Sequence, residues 1–400
     1  MLERALRDRL NSLAAVALEV GAETGDPIGR ITALLLRTKP DAALAEQLFR
    51  LPPPESVALR EVAVEVNRQC LEHWQRQADD AMVATCATNL ANRLSEMGRR
   101  EEALAAAEKA VDLYRALAED KPEAFRPDLA GSLHTLAIML GEMGRREEAL
   151  TVAEKAVDLY RALVKDKPEA FRRYLGKSLN NLMARLRALG RREEALAAVQ
   201  EAITLYRAVA QADHAGLAVS LNNQAIMLSE MGRREEALAA AQETIAHRRA
   251  LAETKPDAFR PYLAGSLLTL ANRLIELERH EEALAAVQEA VTLYRALAEA
   301  RPDAFLPELA ASLNNLAITL SKLRRYEEAL AAAEESVTIR RALADIHFDV
   351  FRSDLARSLQ TLANRLIELE RHGEAFAVAE ELVYLRATEH RTDIRHSDSS

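Results

Sequence analysis

One apolar pattern is written seven times along the chain. The string EEAL opens at Glu101, Glu147, Glu193, Glu235, Glu281 and Glu327, and GEAF from Gly373 is a seventh copy. Successive copies lie 46 residues apart, except the third and fourth, which lie 42 apart. A fixed period of this length marks a stack of supersecondary units, each too small to bury its own apolar face. Within one period, Leu133, Leu136, Ala137 and Leu140 recur at helical spacing and give a first helix one apolar stripe. Ala149, Leu150, Ala153, Ala156 and Val157 form the facing stripe of a second helix. Gly144-Arg145-Arg146 separates them, the glycine supplying the left-handed residue that ends the first helix. Glu147 and Glu148 then fall in the opening turn of the second, where the helix dipole favours anions. That helix is expected to run to about Lys165 and to stop at Lys167-Pro168, with Phe171 as an apolar plug for the crossing to the next pair.

Three irregularities refine the pattern. Between the third and fourth copies the exit segment, residues 209–216, is four residues shorter and lacks the Pro and Phe found elsewhere. His247 and Arg248 also stand where the second copy has Leu159 and Tyr160. A division of the array into blocks of three and four is expected there. Glu278, Arg324 and Glu370 replace the turn glycine in the last three copies, which predicts strained turns. TLANRLIELERH occurs at Thr269–His280 and again at Thr361–His372, and odd copies read ANRL or ARL where even ones read AIML or AITL. The array therefore grew, in part, by duplication of pairs.

Outside the array, helices are expected near residues 2–20, 28–37 and 41–50, then Pro52-Pro53-Pro54, then a long helix from Glu55 to about Arg76. Val57, Leu59, Val62, Val66, Cys70 and Trp74 could cover the apolar face of the first copy. The expected organisation is a helical cap over 1–77, seven helix pairs over 78–387, and a polar, disordered tail over 388–400.

Composition narrows the functional classes. Apolar residues make up 49% of the chain but aromatics only 4%, a mixture suited to long helices packed through small residues. A net charge of −9 argues against a nucleic-acid partner, which needs a basic face to replace counterions. No run of 18 apolar residues offers a membrane span, and the mixed-charge N-terminus reads as an amphipathic helix, so a cytosolic protein with no membrane partner is expected. Cys70 and Cys86 read as small buried hydrophobes. Gly176-Lys177-Ser178 has the end of a phosphate-binding loop, but Phe171 stands where its first glycine must be. His280-Glu281-Glu282-Ala283-Leu284 lacks the second His of a zinc-protease motif. Carboxylates recur in repeated positions, whereas a catalytic site needs one singular constellation. No enzyme activity, cofactor or metal is expected.

The pattern Leu133-x2-Leu136-Ala137-x2-Leu140 followed by Ala149 resembles the tetratricopeptide repeat signature, and it recurs across about residues 78–387. SLNNLAITL at Ser312–Leu320 resembles the long repeats of kinesin light chains and their bacterial relatives. The period departs from the family's usual value of about 34 residues, which is read as a longer second helix and exit loop. The family's aromatic four residues after the Ala is here Ala107, Ala153, Val199, Ala241, Val287, Ala333 and Ala379, so the paired helices should approach closely.

The resemblance implies an all-α, right-handed α-solenoid of seven helix pairs whose first helices line a concave, protein-binding groove. At 100° per residue, the positions opposite the core stripe and on its flank give the candidate contacts. These are Asn89, Asn92, Glu96, His134, Glu142, Lys177, Asn180 and Asn181 in the first three copies. In the last four they are Asn222, Asn223, Glu230, Asn272, Glu276, Asn314, Asn315, Asn364 and Glu368. An Asn amide both donates and accepts, so this row suits the backbone of an extended peptide. The Glu row would favour a peptide carrying Lys or Arg, unless local pairs such as Glu142 with Arg146 neutralise it. The leading expectation is a non-catalytic protein- or peptide-binding scaffold. The alternative is a ligand-sensing module. A helical head before seven repeats resembles bacterial peptide-pheromone receptors, and residues 41–76 with the repeats resemble the sensor arm of actinobacterial signalling ATPases, without their nucleotide domain.

Overall fold

The computed structural model describes residues 28–38, 41–49, 59–208, 213–346 and 348–397, and their regular structure is helical. Three helices come first: α1 (Ile28–Thr38), α2 (Ala42–Phe49) and α3 (Arg60–Arg76). The expected helix over 2–20 lies outside the described residues, as do Val57 and the expected start of α3 at Glu55. Seven pairs follow. They are α4 (Asp80–Glu96) with α5 (Arg100–Asp120), α6 (Pro122–Glu142) with α7 (Arg146–Asp166), and α8 (Pro168–Ala188) with α9 (Arg192–Arg207). Next are α10 (His214–Glu230) with α11 (Arg234–Thr254), and α12 (Pro256–Glu276) with α13 (His280–Ala300). The last are α14 (Pro302–Lys322) with α15 (Tyr326–Ile346), and α16 (Phe348–Glu368) with α17 (His372–Ser397). Consecutive helices pack on one another from α3 to α8 and from α10 to α17, and α1 and α2 both pack on α3.

Two expectations are corrected. The long period does not contain an exit loop. Lys121, Lys167, Lys255 and Arg301 are single-residue connectors with φ between −133° and −142° and ψ between 73° and 77°. The next residue in each case is a proline at the first position of a 21-residue helix. Proline has no N–H to lose there and its fixed φ suits a helix start, while the residue before it is kept out of the α region. The extra residues therefore lengthen both helices, and Phe171 lies inside α8. The second correction is at the end of the chain, where α17 continues to Ser397 through the segment expected to be disordered. No Gly or Pro follows Gly373 to stop it, and Ala387, Glu389 and Arg391 are good helix formers.

All seven turns inside the pairs close alike. The N–H of Arg99, Arg145, Arg191, Arg233, Arg279, Arg325 and Arg371 each reaches the carbonyl five residues back at 2.8–3.0 Å. This is the Schellman arrangement, which places the preceding residue in the left-handed region. Gly98, Gly144, Gly190 and Gly232 hold φ of 71–76° there; Glu278, Arg324 and Glu370 hold 59–60°. The same arginines then grip the second Glu of the Glu-Glu pair, as in Arg145 Nη2 to Glu148 at 2.6 Å. That hydrogen bond holds the Glu148 carboxyl below the usual carboxylate range. In the last pair Arg371 makes the same contact to Glu374, the Glu that follows Gly373.

The chain forms two compact units, 1–206 and 207–400, divided at the short junction. In the first, Leu35, Leu36, Leu59, Val62, Val66 and Cys70 form one core with Cys86 of α4. Trp74 packs half-buried against it. Val64, also on α3, is buried in the next core with Leu90, Leu94, Ala107 and Leu133. In the second unit, α10 begins without proline, and the Asp213 side chain instead accepts from the Gly216 N–H at 2.8 Å. Its core runs from Leu263, Leu267 and Val287 to Leu359, Leu362 and Leu382. The small residues in the aromatic's place, including Ala107, Ala153, Val199 and Val287, are buried where paired helices meet. No helix among the described residues is long and apolar enough to cross a membrane.

Candidate functional site

The candidate asparagines fall into two groups. In the first unit, Asn89 is exposed and Asn92 half-buried on α4, and neither side chain makes a hydrogen bond within the described residues. In the second, Asn222, Asn272 and Asn315 are equally available on α10, α12 and α14. The other asparagines are engaged. Asn181 is buried and its Nδ2 donates to the His134 carbonyl at 3.2 Å, fixing α8 to α6. The His134 ring meets Ser178 Oγ at 3.3 Å through Nδ1. Burial, with the Lys177 and Arg185 charges nearby, lowers its pKa to about 4, so the imidazole is neutral. Lys177 itself is exposed. Asn314 is buried with Oδ1 unsatisfied, Asn364 accepts from Gln360 at 3.4 Å, and Asn180 and Asn223 are also engaged.

The glutamates are held by the chain itself. Ser95 donates to Glu142, Ser229 to Glu276 and Ser321 to Glu368, each from the first helix of the preceding pair at 2.8–2.9 Å. Arg93, Arg273 and Arg365 form ion pairs with Glu96, Glu276 and Glu368, three residues on, at 2.9–3.1 Å. Arg365 Nη1 also donates to the Ala317 carbonyl of the preceding pair at 3.3 Å. The expected Glu142–Arg146 pair is not the arrangement adopted. Arg146 opens α7, whereas the Glu142 carboxylate accepts from Ser95 and its charge acts on Arg185 of α8. Gly141 makes room for that guanidinium, since a Cβ there would overlap its Nη1. Glu230 is engaged too. Three of the five glutamates, Glu142, Glu276 and Glu368, tie neighbouring repeats together, and Glu96 pairs within its own helix, so the row is not a free acidic stripe; the ANRL and ARL arginines of the odd copies carry the signal for it.

Sequence reasoning missed a cavity of about 380 Å³ in the first unit. Tyr114 of α5, Tyr160 of α7, Phe171 and Tyr174 of α8 and Asp128 of α6 line it, together with Asn89. The Tyr160 and Tyr174 rings are stacked, with centroids 5.9 Å apart and planes 12° apart.

The tetratricopeptide repeat family model matches residues 83–122, 129–168, 263–302 and 309–349, and a second model of the same repeat matches 174–250. Together these cover more than half of the chain. It belongs to the tetratricopeptide repeat family. No curated protein matches this repeat protein. Among solved structures it is similar to BtubC (BKLC) from P. vanneervenii, with a TM-score of 0.52 at 17% identity over 61% of this chain and 92% of that one. It is also similar to a signal transduction ATPase with a tetratricopeptide repeat sensor from Pyrococcus horikoshii. There the TM-score is 0.59 at 14% identity, over 94% of this chain and 53% of the ATPase. Aspartyl phosphate phosphatase F from Bacillus subtilis gives 0.53 at 13% identity, over 95% and 94% of the two chains. At these identities the likeness is one of fold.

Proposed function

We propose that this tetratricopeptide repeat protein is a non-catalytic scaffold that holds an extended segment of a partner protein along its first helices. The observation that carries the reading is the row of available amides, Asn89 and Asn92 in one unit and Asn222, Asn272 and Asn315 in the other. An amide with a free donor and acceptor matches a peptide bond, and on a rigid helix only the side-chain rotamer, not the backbone, has to be ordered on binding. The test is a peptide array probed with the full chain and with an Asn89→Ala/Asn92→Ala double variant. Loss of roughly tenfold in affinity for the selected peptides supports the reading, and unchanged affinity in this variant and in Asn272→Ala/Asn315→Ala removes it.

The division into two units at the shortened junction favours a second reading, a ligand-sensing module. A sensor changes shape on binding and a scaffold does not. Small-angle scattering with and without a selected peptide separates them: a radius of gyration that falls on binding supports the sensor.

A further inference from the structure

The position of Tyr114 in the second helices repeats along the chain as Tyr160, Tyr206, Arg248, Tyr294 and Arg340. Where it is arginine, the side chain reaches forward to the next first helix, fourteen residues on. Arg248 lies over the Tyr262 ring, 5.9 Å from its centroid, and donates to the Tyr262 carbonyl and to Ser266. Arg340, buried, donates to Asp354 at 2.7 Å. The second unit thus shows two receptors for a guanidinium at one structural position, an aromatic face and a carboxylate.

The first unit presents the same receptors without the arginine. Asp128 stands fourteen residues after Tyr114, where Asp354 follows Arg340; Tyr174 stands fourteen after Tyr160, where Tyr262 follows Arg248. Both line the 380 Å³ cavity. Of the two tyrosines in the arginines' place, Tyr114 turns back to its own pair and Tyr160 covers one face of the Tyr174 ring, leaving the other face free of it. Tyr114 shares a hydrogen bond with Thr85 of its own pair at 2.8 Å, and Tyr160 stacks on Tyr174. Asp128 is exposed at the cavity and has no cation paired with it among the described residues, and the protein around it displaces enough water to raise its carboxyl above the usual range. Tyr174 is 49% exposed, so its outer surface is open to a ligand.

We propose that this cavity is a guanidinium site, in which an arginine side chain of the partner pairs with Asp128 and stacks against Tyr174. The planar guanidinium matches a carboxylate through two parallel N–H donors and an aromatic ring through its face, which an ammonium does less well. The inference deepens the scaffold reading, on which the partner's arginine rests. It moves selection for a basic segment from the glutamate row, which the chain itself occupies, to one built site.

Saturation-transfer NMR on the full chain with Nα-acetyl-L-arginine amide tests it without any peptide. Transfer to the arginine side chain is expected, about tenfold stronger in affinity than for the neutral citrulline analogue and weaker for the lysine analogue. Asp128→Asn, which removes no ion pair among the described residues, should abolish the discrimination against citrulline while leaving the melting temperature unchanged. Tyr174→Ala should weaken arginine binding several-fold. Equal binding of citrulline, tighter binding of the lysine analogue, or an Asp128→Asn variant that binds arginine as wild type does would each overturn the site. Arginine amide binding with no peptide selected on the array supports the site and removes the scaffold reading. Peptides bound irrespective of Asp128 do the reverse.

Discussion

At Glu278, Arg324 and Glu370 the chain turns through φ of 59–60° with a Cβ where four other turns use glycine. The hydrogen bond that closes the turn is unchanged, so the cost of the left-handed residue is retained rather than relieved by another conformation. Glu278→Gly is therefore expected to raise stability by about 1 kcal/mol, read as a higher melting temperature. A lower one would show that the glutamate side chain contributes more than the turn costs. His134 makes a second residue-scale case. Its pKa in the folded protein is about 4, below its ordinary value, so the unfolded chain takes up the proton first. Its contribution is complete above about pH 6.5 and is lost as pH falls toward 4, by at most about 3 kcal/mol. Urea midpoints at pH 7 and pH 4.5 should differ less in His134→Gln than in the wild type. An equal difference would mean that the imidazole does not titrate in this window.

Between elements, small residues set how closely helices approach. A Cβ on Gly176 of α8 would lie 2.6 Å from Cε2 of Tyr206, a ring buried to 1% exposure whose hydroxyl donates to the Arg173 carbonyl. On Gly131 of α6 the corresponding contact is 3.4 Å, to the Tyr160 hydroxyl. Gly176→Ala is accordingly expected to destabilise by about 1–3 kcal/mol and Gly131→Ala by much less. Equal losses in thermal melts would mean that Tyr206 shifts as freely as Tyr160. The same logic explains the ties along the first helices. A serine at the end of one first helix reaches the glutamate at the end of the next, which fixes the spacing of neighbouring pairs through polar contacts where the apolar stripe has already ended.

At the largest scale, repetition within each unit makes stability a sum of local terms, because neighbouring pairs of a unit pack on one another. Leu359 of α16 is fully buried, and Leu359→Ala should remove about 2–5 kcal/mol from its surroundings. Hydrogen exchange is expected to quicken in α14 to α17 and to stay unchanged in α4 to α7. Uniform quickening across all helices would show that the chain opens as one cooperative body.

The helix pairs, their number and the left-handed turns followed from the sequence alone, since each rests on local spacing: an apolar stripe at period 3.6, a glycine, and Glu-Glu at a helix start. The extension of both helices to the proline was also locally encoded, but in a residue that can end one helix or begin the next; only packing decided which. The partners of polar side chains were not legible. Glu142 could choose between Arg146 on its own turn and Ser95, 47 residues earlier, and the alignment of neighbouring first helices settled the choice. Asn89 and Asn181 occupy the same place in the repeat, yet one is exposed and the other buried beneath His134, because that depends on what the adjacent repeat presents. The cavity holding Asp128 and Tyr174 was least visible of all. It is made by residues from separate pairs that no single repeat contains.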